Sequence, residues 1–220
     1  MELEKLKQEK IDQIDFFKKI IKKKIEELFI ANYKSLGIEG LTETFLLDLE
    51  KFEKVLSENN KKSFCKFYLI QKGDSLNLGL SFSDNEECDI KAKNLADDDV
   101  LYILENNHIT PKDFTAMKKG FVNGIGAKLP THRDNKKDTL ISYSLEEINL
   151  YLEEMREKYP TISALKFNMF QYSPTNLDHE LSARFTERDK RIAFCVHALF
   201  DKKKDLYGES EGYDLGNLKP

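Results

Sequence analysis

Two neighbouring stretches, "SFCKFYLIQK" and "LNLGLSF", are separated by "GDS" and alternate apolar with polar residues. A period of two is the pattern of paired β-strands that turn one face to a core. Leu76, Leu78, Leu80 and Phe82 fall on one side, Asn77, Gly79 and Ser81 on the other. This predicts an antiparallel hairpin with one solvated face. A hairpin cannot bury its apolar side alone, so the chain must supply a second layer.

Candidates for that layer are amphipathic helices. Across residues 11–29, Ile11, Ile14, Phe17, Ile21, Ile25 and Leu28 recur at steps of three and four, with Lys and Glu between them, which predicts a long N-terminal helix. Gly37 suits its C-terminal cap. "TETFLLDLEKFEKVLSEN" repeats the helical spacing at Phe45, Leu49, Phe52 and Leu56, and a third helix is expected at "VLYILENN" after an acidic connection. A fourth would enter through Thr110 and Pro111. In "SLEEINLYLEEMREKYP", Ser144 and Glu147 stand at capping-box spacing. "ALKFNMFQY", "ELSARF" and "RIAFCVHALF" complete a second strand set.

The fold class is therefore α+β, with antiparallel sheets under amphipathic helices. The expected organisation is an N-terminal helix over residues 1–36 and an α+β domain over 37–220. Residues 41–95 and 142–220 each run helix, strand, strand. That order fits either an ancient duplication or a common α+β arrangement.

Net charge of −4 and a pI near 5.7 make the chain acidic and give no long-range attraction to polyanions, so nucleic acid is not an expected partner. No apolar window reaches spanning length, no signal-peptide pattern opens the sequence, and three widely spaced cysteines (Cys65, Cys88, Cys195) form no CxxC pair. A cytoplasmic, reducing location is the expectation, with no membrane association.

Three places carry residues capable of chemistry. Cys195 and His197 share a strand face, but same-face neighbours start about 7 Å apart at Cα, and no oxyanion donors stand nearby in sequence. Buried packing is the expected role, with a nucleophile–base pair as the alternative. His132, Arg133 and Asp134 are adjacent in residues 120–141, a Gly-rich segment expected to be an irregular, mobile loop. They are read as loop surface, or as working groups beneath a lid if the chain is an enzyme. Asp178, His179 and Glu180 lack a second histidine one helical turn away, and the four histidines have no ligand spacing. No metal site and no cofactor are predicted. "GFVNGIG" lacks the GK[ST] ending of a phosphate loop.

The stretches "YSLEEINLYLEEM", "ISALKFNMFQYSP" and "YDLGNLKP" together resemble the C-terminal part of small bacterial proteins that carry no assigned function. The likeness covers at most about the last 80 residues and departs from that group's aliphatic-Arg strand at "ALKFNMF". It implies a bacterial, stand-alone domain and transfers no catalytic residue.

The resulting expectation is a non-catalytic binding or interaction protein whose partner is another protein. A small hydrolase-like enzyme is the alternative. Self-association through Ile14, Ile21 and Leu28, spaced by sevens, is compatible with either.

Overall fold

The computed structural model describes residues 21–86, 100–130, 140–175, 185–186, 188–202, 206–213 and 217–219. Helix α1 (Lys23–Ser35) leads into strand β1 (Thr44–Asp48), helix α2 (Leu49–Glu58) and the hairpin β2 (Phe64–Lys72) and β3 (Ser75–Ser83). A second hairpin, β4 (Val100–Glu105) and β5 (His108–Pro111), is followed by α3 (Thr115–Asn123) and the short α4 (Ile125–Lys128). Strand β6 (Leu140–Ser144), helix α5 (Leu145–Lys158), β7 (Ile162–Gln171), β8 (Ile192–Lys202), β9 (Leu206–Glu209) and β10 (Asn217–Lys219) complete the order. No described helix is long and apolar enough to cross a membrane.

The strands form two antiparallel sheets, ordered β1-β7-β8-β9 and β10-β6-β2-β3-β4-β5. Each sheet takes a strand from the other end of the chain. β1 leaves the β2–β3 hairpin and pairs with β7, Phe45 opposite Phe167. β6 leaves β7 and pairs with β2, Ile141 opposite Phe67. Both strands end directly in a capped helix. Asp48 accepts a hydrogen bond from Lys51 N at the start of α2, and Ser144 forms a reciprocal capping box with Glu147 at the start of α5.

Inner faces of the two sheets meet in one apolar core. The rings of Phe67 and Phe167 lie 5.6 Å apart, Phe67 and Phe194 5.5 Å, and Phe167 and Phe194 5.0 Å, mostly at tilted or edge-on angles that suit aromatic quadrupoles. The same core takes in the four-residue stripe Leu49, Phe52, Val55 and Leu56 of α2 and the matching Leu145, Ile148, Tyr151 and Leu152 of α5.

Several expectations change. The face of the β2–β3 hairpin expected to be wet is covered: Tyr68, Ile70 and Ser81 are buried, because Phe114 packs on Gly79, where a Cβ would stand 2.9 Å from its ring. "VLYILENN" forms a β-hairpin rather than a helix. Asn106 and Asn107 turn it with φ of 50° and 66°, a left-handed conformation that asparagine tolerates. Thr110 and Pro111 therefore belong to β5, and α3 starts at Thr115, whose N–H donates to Asp113 Oδ1 at 2.8 Å. "TETFLLDL" begins as strand β1, with Phe45 and Leu47 inward, and only then becomes helical.

Residues 120–141, expected to be irregular throughout, include the end of α3, all of α4 and the start of β6. Residues 131–139 lie outside the described residues, as do 1–20 with Ile14, and 176–184 with most of "ELSARF". Of the long N-terminal helix expected over residues 1–36, the described residues show helix only from Lys23 to Ser35, with residues 21 and 22 non-helical, and Gly37 at φ 60° follows its cap as expected. Its buried stripe is Ile25, Glu26, Phe29 and Tyr33. Ile21 and Leu28 pack only partly buried against the same core.

Candidate functional site

Strand β8 lies between β7 and β9, and its outer face carries Ala193, Cys195 and His197 beneath α1. Period-two geometry places Cys195 and His197 side by side on that face. Phe29 fixes the helix above them, its ring 5.7 Å from Phe170 and 5.5 Å from Tyr172. One turn earlier on the same helical stripe, Glu26 is directed onto the strand.

The three side chains converge. Glu26 Oε1 lies 2.7 Å from His197 Nε2, the Cys195 thiol donates to the same oxygen at 3.3 Å, and Sγ to Nε2 is 3.5 Å. Cys195 is 0 % exposed, His197 4 % and Glu26 8 %. On the far side of the ring, His197 Nδ1 lies 2.9 Å from the backbone carbonyl of Ser210 and 3.2 Å from Glu209 Oε1. Both are acceptors, so Nδ1 carries a proton and Nε2 is the nitrogen turned to Glu26 and Cys195.

Burial alone would raise the Glu26 carboxyl, but the hydrogen bond and charge of His197, together with bonds from Cys195 and Asn168, hold it below the usual carboxylate range. Burial would likewise lower His197, yet Glu26, the Ser210 carbonyl and Glu209 hold it above the usual imidazole value. The two shifts describe one buried carboxylate–imidazolium pair.

This arrangement differs from a nucleophile–base–carboxylate relay. In a relay the imidazole holds the nucleophile on one nitrogen and the carboxylate on the other. Here Nε2 meets both the thiol and the Glu26 carboxylate, while Nδ1 faces the Ser210 carbonyl at 2.9 Å and a second carboxylate, Glu209 Oε1, at 3.2 Å. The contact between Cys195 and His197 expected to require leaning along the strand is made at 3.5 Å. Burial matches the sequence expectation for this pair, but the pair belongs to a polar cluster and is not apolar filling.

The segment after β9 closes the cluster. Gly212 O accepts from Ile21 N at 2.9 Å, and a Cβ on Gly212 would stand 2.7 Å from Glu26 Oε2 and 2.9 Å from His197 Nε2. Tyr213 bridges back to Val196 through two backbone hydrogen bonds of 3.0 Å each.

The other sequence candidates fall elsewhere. His132, Arg133 and Asp134 lie outside the described residues, as do Asp178, His179, Glu180 and Cys88. His108 is exposed at the start of β5. Cys65 is buried on the inner face of β2, where burial pushes its thiol well up and Lys66 only partly offsets this. Glu26 was missing from the sequence candidates. Its signal is the spacing Glu26–Phe29–Tyr33, a carboxylate in register with two buried aromatics.

No protein-family model matches the chain. Comparison with curated proteins and with solved structures finds no match either.

Proposed function

We propose that the chain is a non-catalytic binding protein made of two copies of a β-α-β-β-β unit, and that it accepts an extended segment of another polypeptide along the free edge of β1. The two copies are β1, α2, β2, β3, β4 and β6, α5, β7, β8, β9. Their strand orders correspond, since β1-β7-β8-β9 in one sheet repeats β6-β2-β3-β4 in the other.

Sequence and packing support the correspondence. Lys66, Phe67 and Gln71 of β2 match Lys166, Phe167 and Gln171 of β7, and the equivalent rings of Phe67 and Phe167 touch across the core. Helix α5 has 14 residues and α2 has 10, a difference of one turn.

The observation that carries the function is an asymmetry between the two edges. β6 has an added strand along its outer side, because β10 pairs with it from Asn217 opposite Ser142 to Lys219 opposite Leu140. The equivalent strand β1 is a sheet edge among the described residues. Its ladder with β7 turns the backbone groups of Thr44 and Leu46 outward. Asp48 N uses that direction to reach Asn107 O at 2.8 Å.

An open groove follows this edge, lined by Thr42, Thr44, Leu46, Asn77, Glu105 and Asn106, and Leu46 is 37 % exposed. Strand addition at an unprotected edge is a standard route to polypeptide recognition. The partly buried packing of Ile21 and Leu28 on the protein's own core makes β1 the better docking surface than the Ile14–Ile21–Leu28 stripe.

The test is affinity capture from the native cell at low salt with the full chain and with Leu46→Pro, which removes a donor from the edge. A stoichiometric partner lost in the variant, with unchanged circular dichroism, is the expected result. No partner, or one retained equally by the variant, contradicts the reading. The enzyme alternative draws on the 3.5 Å contact between Cys195 and His197 and requires a reagent-accessible thiol.

A further inference from the structure

The Glu26–Cys195–His197 cluster is not a packing requirement of the repeated unit. By the register of the two hairpins, Asn168 pairs with Cys195 and Lys166 with His197, while Tyr68 pairs with Gly79 and Lys66 with Ser81. Cys195 and His197 thus stand where the other copy has Gly79 and Ser81. That copy covers its outer face with Phe114 and forms no such cluster among the described residues. Among the described residues the polar group is present in one half only.

We propose that Glu26 Oε1, Cys195 Sγ and His197 Nε2 are the protein ligands of a zinc-type divalent transition ion that clasps α1 onto β8. Thiolate, imidazole and carboxylate are the three donor types that zinc takes from proteins. Bonds of about 2.0–2.3 Å at tetrahedral angles put ligand atoms about 3.3–3.6 Å apart. The Sγ–Oε1 and Sγ–Nε2 separations, 3.3 and 3.5 Å, already fit. The Nε2–Oε1 separation of 2.7 Å is a hydrogen-bond length and must widen by about 0.6 Å when an ion replaces the proton.

The support around the ligands fits a metal-binding imidazole. Nδ1–H is fixed by the Ser210 carbonyl, which orients the ring and leaves Nε2 as the donor. Ser210 is itself held, its Oγ accepting from Ala198 N and donating to Glu211 O, each at 2.9 Å. Gly212 leaves no room for a side chain above Oε2 and Nε2. Three protein ligands leave the fourth position of a tetrahedral ion to a water molecule.

Charge balances in the exchange. A thiol, an imidazolium and a carboxylate bind M²⁺ to give a neutral thiolate–imidazole–carboxylate centre, and two protons leave, one from Sγ and one from Nε2. No oxidant or reductant is required. The ion then substitutes for both protons that hold the cluster together without it.

The test is titration of the metal-free full chain with Co²⁺ and with Zn²⁺. Expected are a thiolate-to-cobalt charge-transfer band and tetrahedral d–d bands saturating at one equivalent, their loss when Zn²⁺ is added, and a rise in Tm with Zn²⁺. Cys195→Ser should abolish the charge-transfer band, and Glu26→Gln should weaken Zn²⁺ binding by about 100-fold. Cys65→Ser and His108→Gln should leave both signals intact. Absence of the band and of the Tm rise in the unmutated chain overturns the proposal, whatever the variants do. It is also overturned if Cys195→Ser keeps the band, or if Cys65→Ser or Cys88→Ser removes it.

Discussion

Glu26 and His197 lie 171 positions apart in sequence and 2.7 Å apart in the fold. That contact joins the first described helix to β8, one of the two inner strands of the smaller sheet, through a buried charge pair, and its stability depends on pH from both sides.

In metal-free protein with chelator present, the pair should contribute most between about pH 4.5 and 6.5, the ordinary values of its two groups. Glu26 is held below its ordinary value, so its contribution is present above pH 4.5 and is lost as pH falls through the folded-state value. His197 is held above its ordinary value, so its contribution is complete below pH 6.5 and is lost as pH rises through the folded-state value. Urea midpoints should fall on both sides of this window, and Glu26→Gln should flatten both limbs.

Gly212→Ala should destabilise the protein by about 1–3 kcal/mol, the usual range for forcing a methyl into a filled space. The new Cβ would stand 2.7 Å from Glu26 Oε2 and 2.9 Å from His197 Nε2. Chemical denaturation measures the loss. A change confined to surface substitutions, such as Lys54→Ala on α2, should remain within about 0.5 kcal/mol.

Cys65 and Cys195 are both fully buried. In the native state neither should react with a thiol reagent faster than the protein opens, and mass spectrometry of labelled peptides reports each separately. Rapid labelling of Cys195 would revive the enzyme alternative.

Much of the fold is legible in the sequence where the signal is local. The β2–β3 pairing follows from period-two alternation around a two-residue turn at Gly73, whose φ is 61°. The α5 start follows from Ser144 and Glu147. Where apolar residues of a short strand run directly into a helix, as Phe45 and Leu47 run into Leu49 and Phe52, the two periods overlap and the strand is read as helix. "VLYILENN" fails for a related reason: a six-residue apolar strand bounded by acids also resembles a helix start, and only the paired Asn106–Asn107 turn separates the two.

The exchange of β1 and β6 between sheets is a long-range relation that no window of sequence contains. The site was half legible. Cys195 and His197 are visible as strand neighbours, whereas Glu26 reaches them only through the docking of α1, which Phe29 and Tyr33 drive.

Because β1 pairs with β7 and β6 pairs with β2, each sheet needs a strand from the other half of the chain, and neither half should fold alone. Chains cut between residues 130 and 140 should give two fragments that are separately unfolded by circular dichroism and regain the intact spectrum on mixing. A stable, monomeric C-terminal fragment would contradict the strand exchange.

Nitrogen-15 NMR of the His197 ring tests the cluster most directly. In metal-free protein at pH 6 both ring nitrogens should carry protons, and one equivalent of Zn²⁺ should shift Nε2 to a metal-bound value while Nδ1 stays protonated against the Ser210 carbonyl. A neutral, freely titrating ring with Nδ1 unprotonated, unmoved by zinc, would contradict both the buried ion pair and the metal clasp.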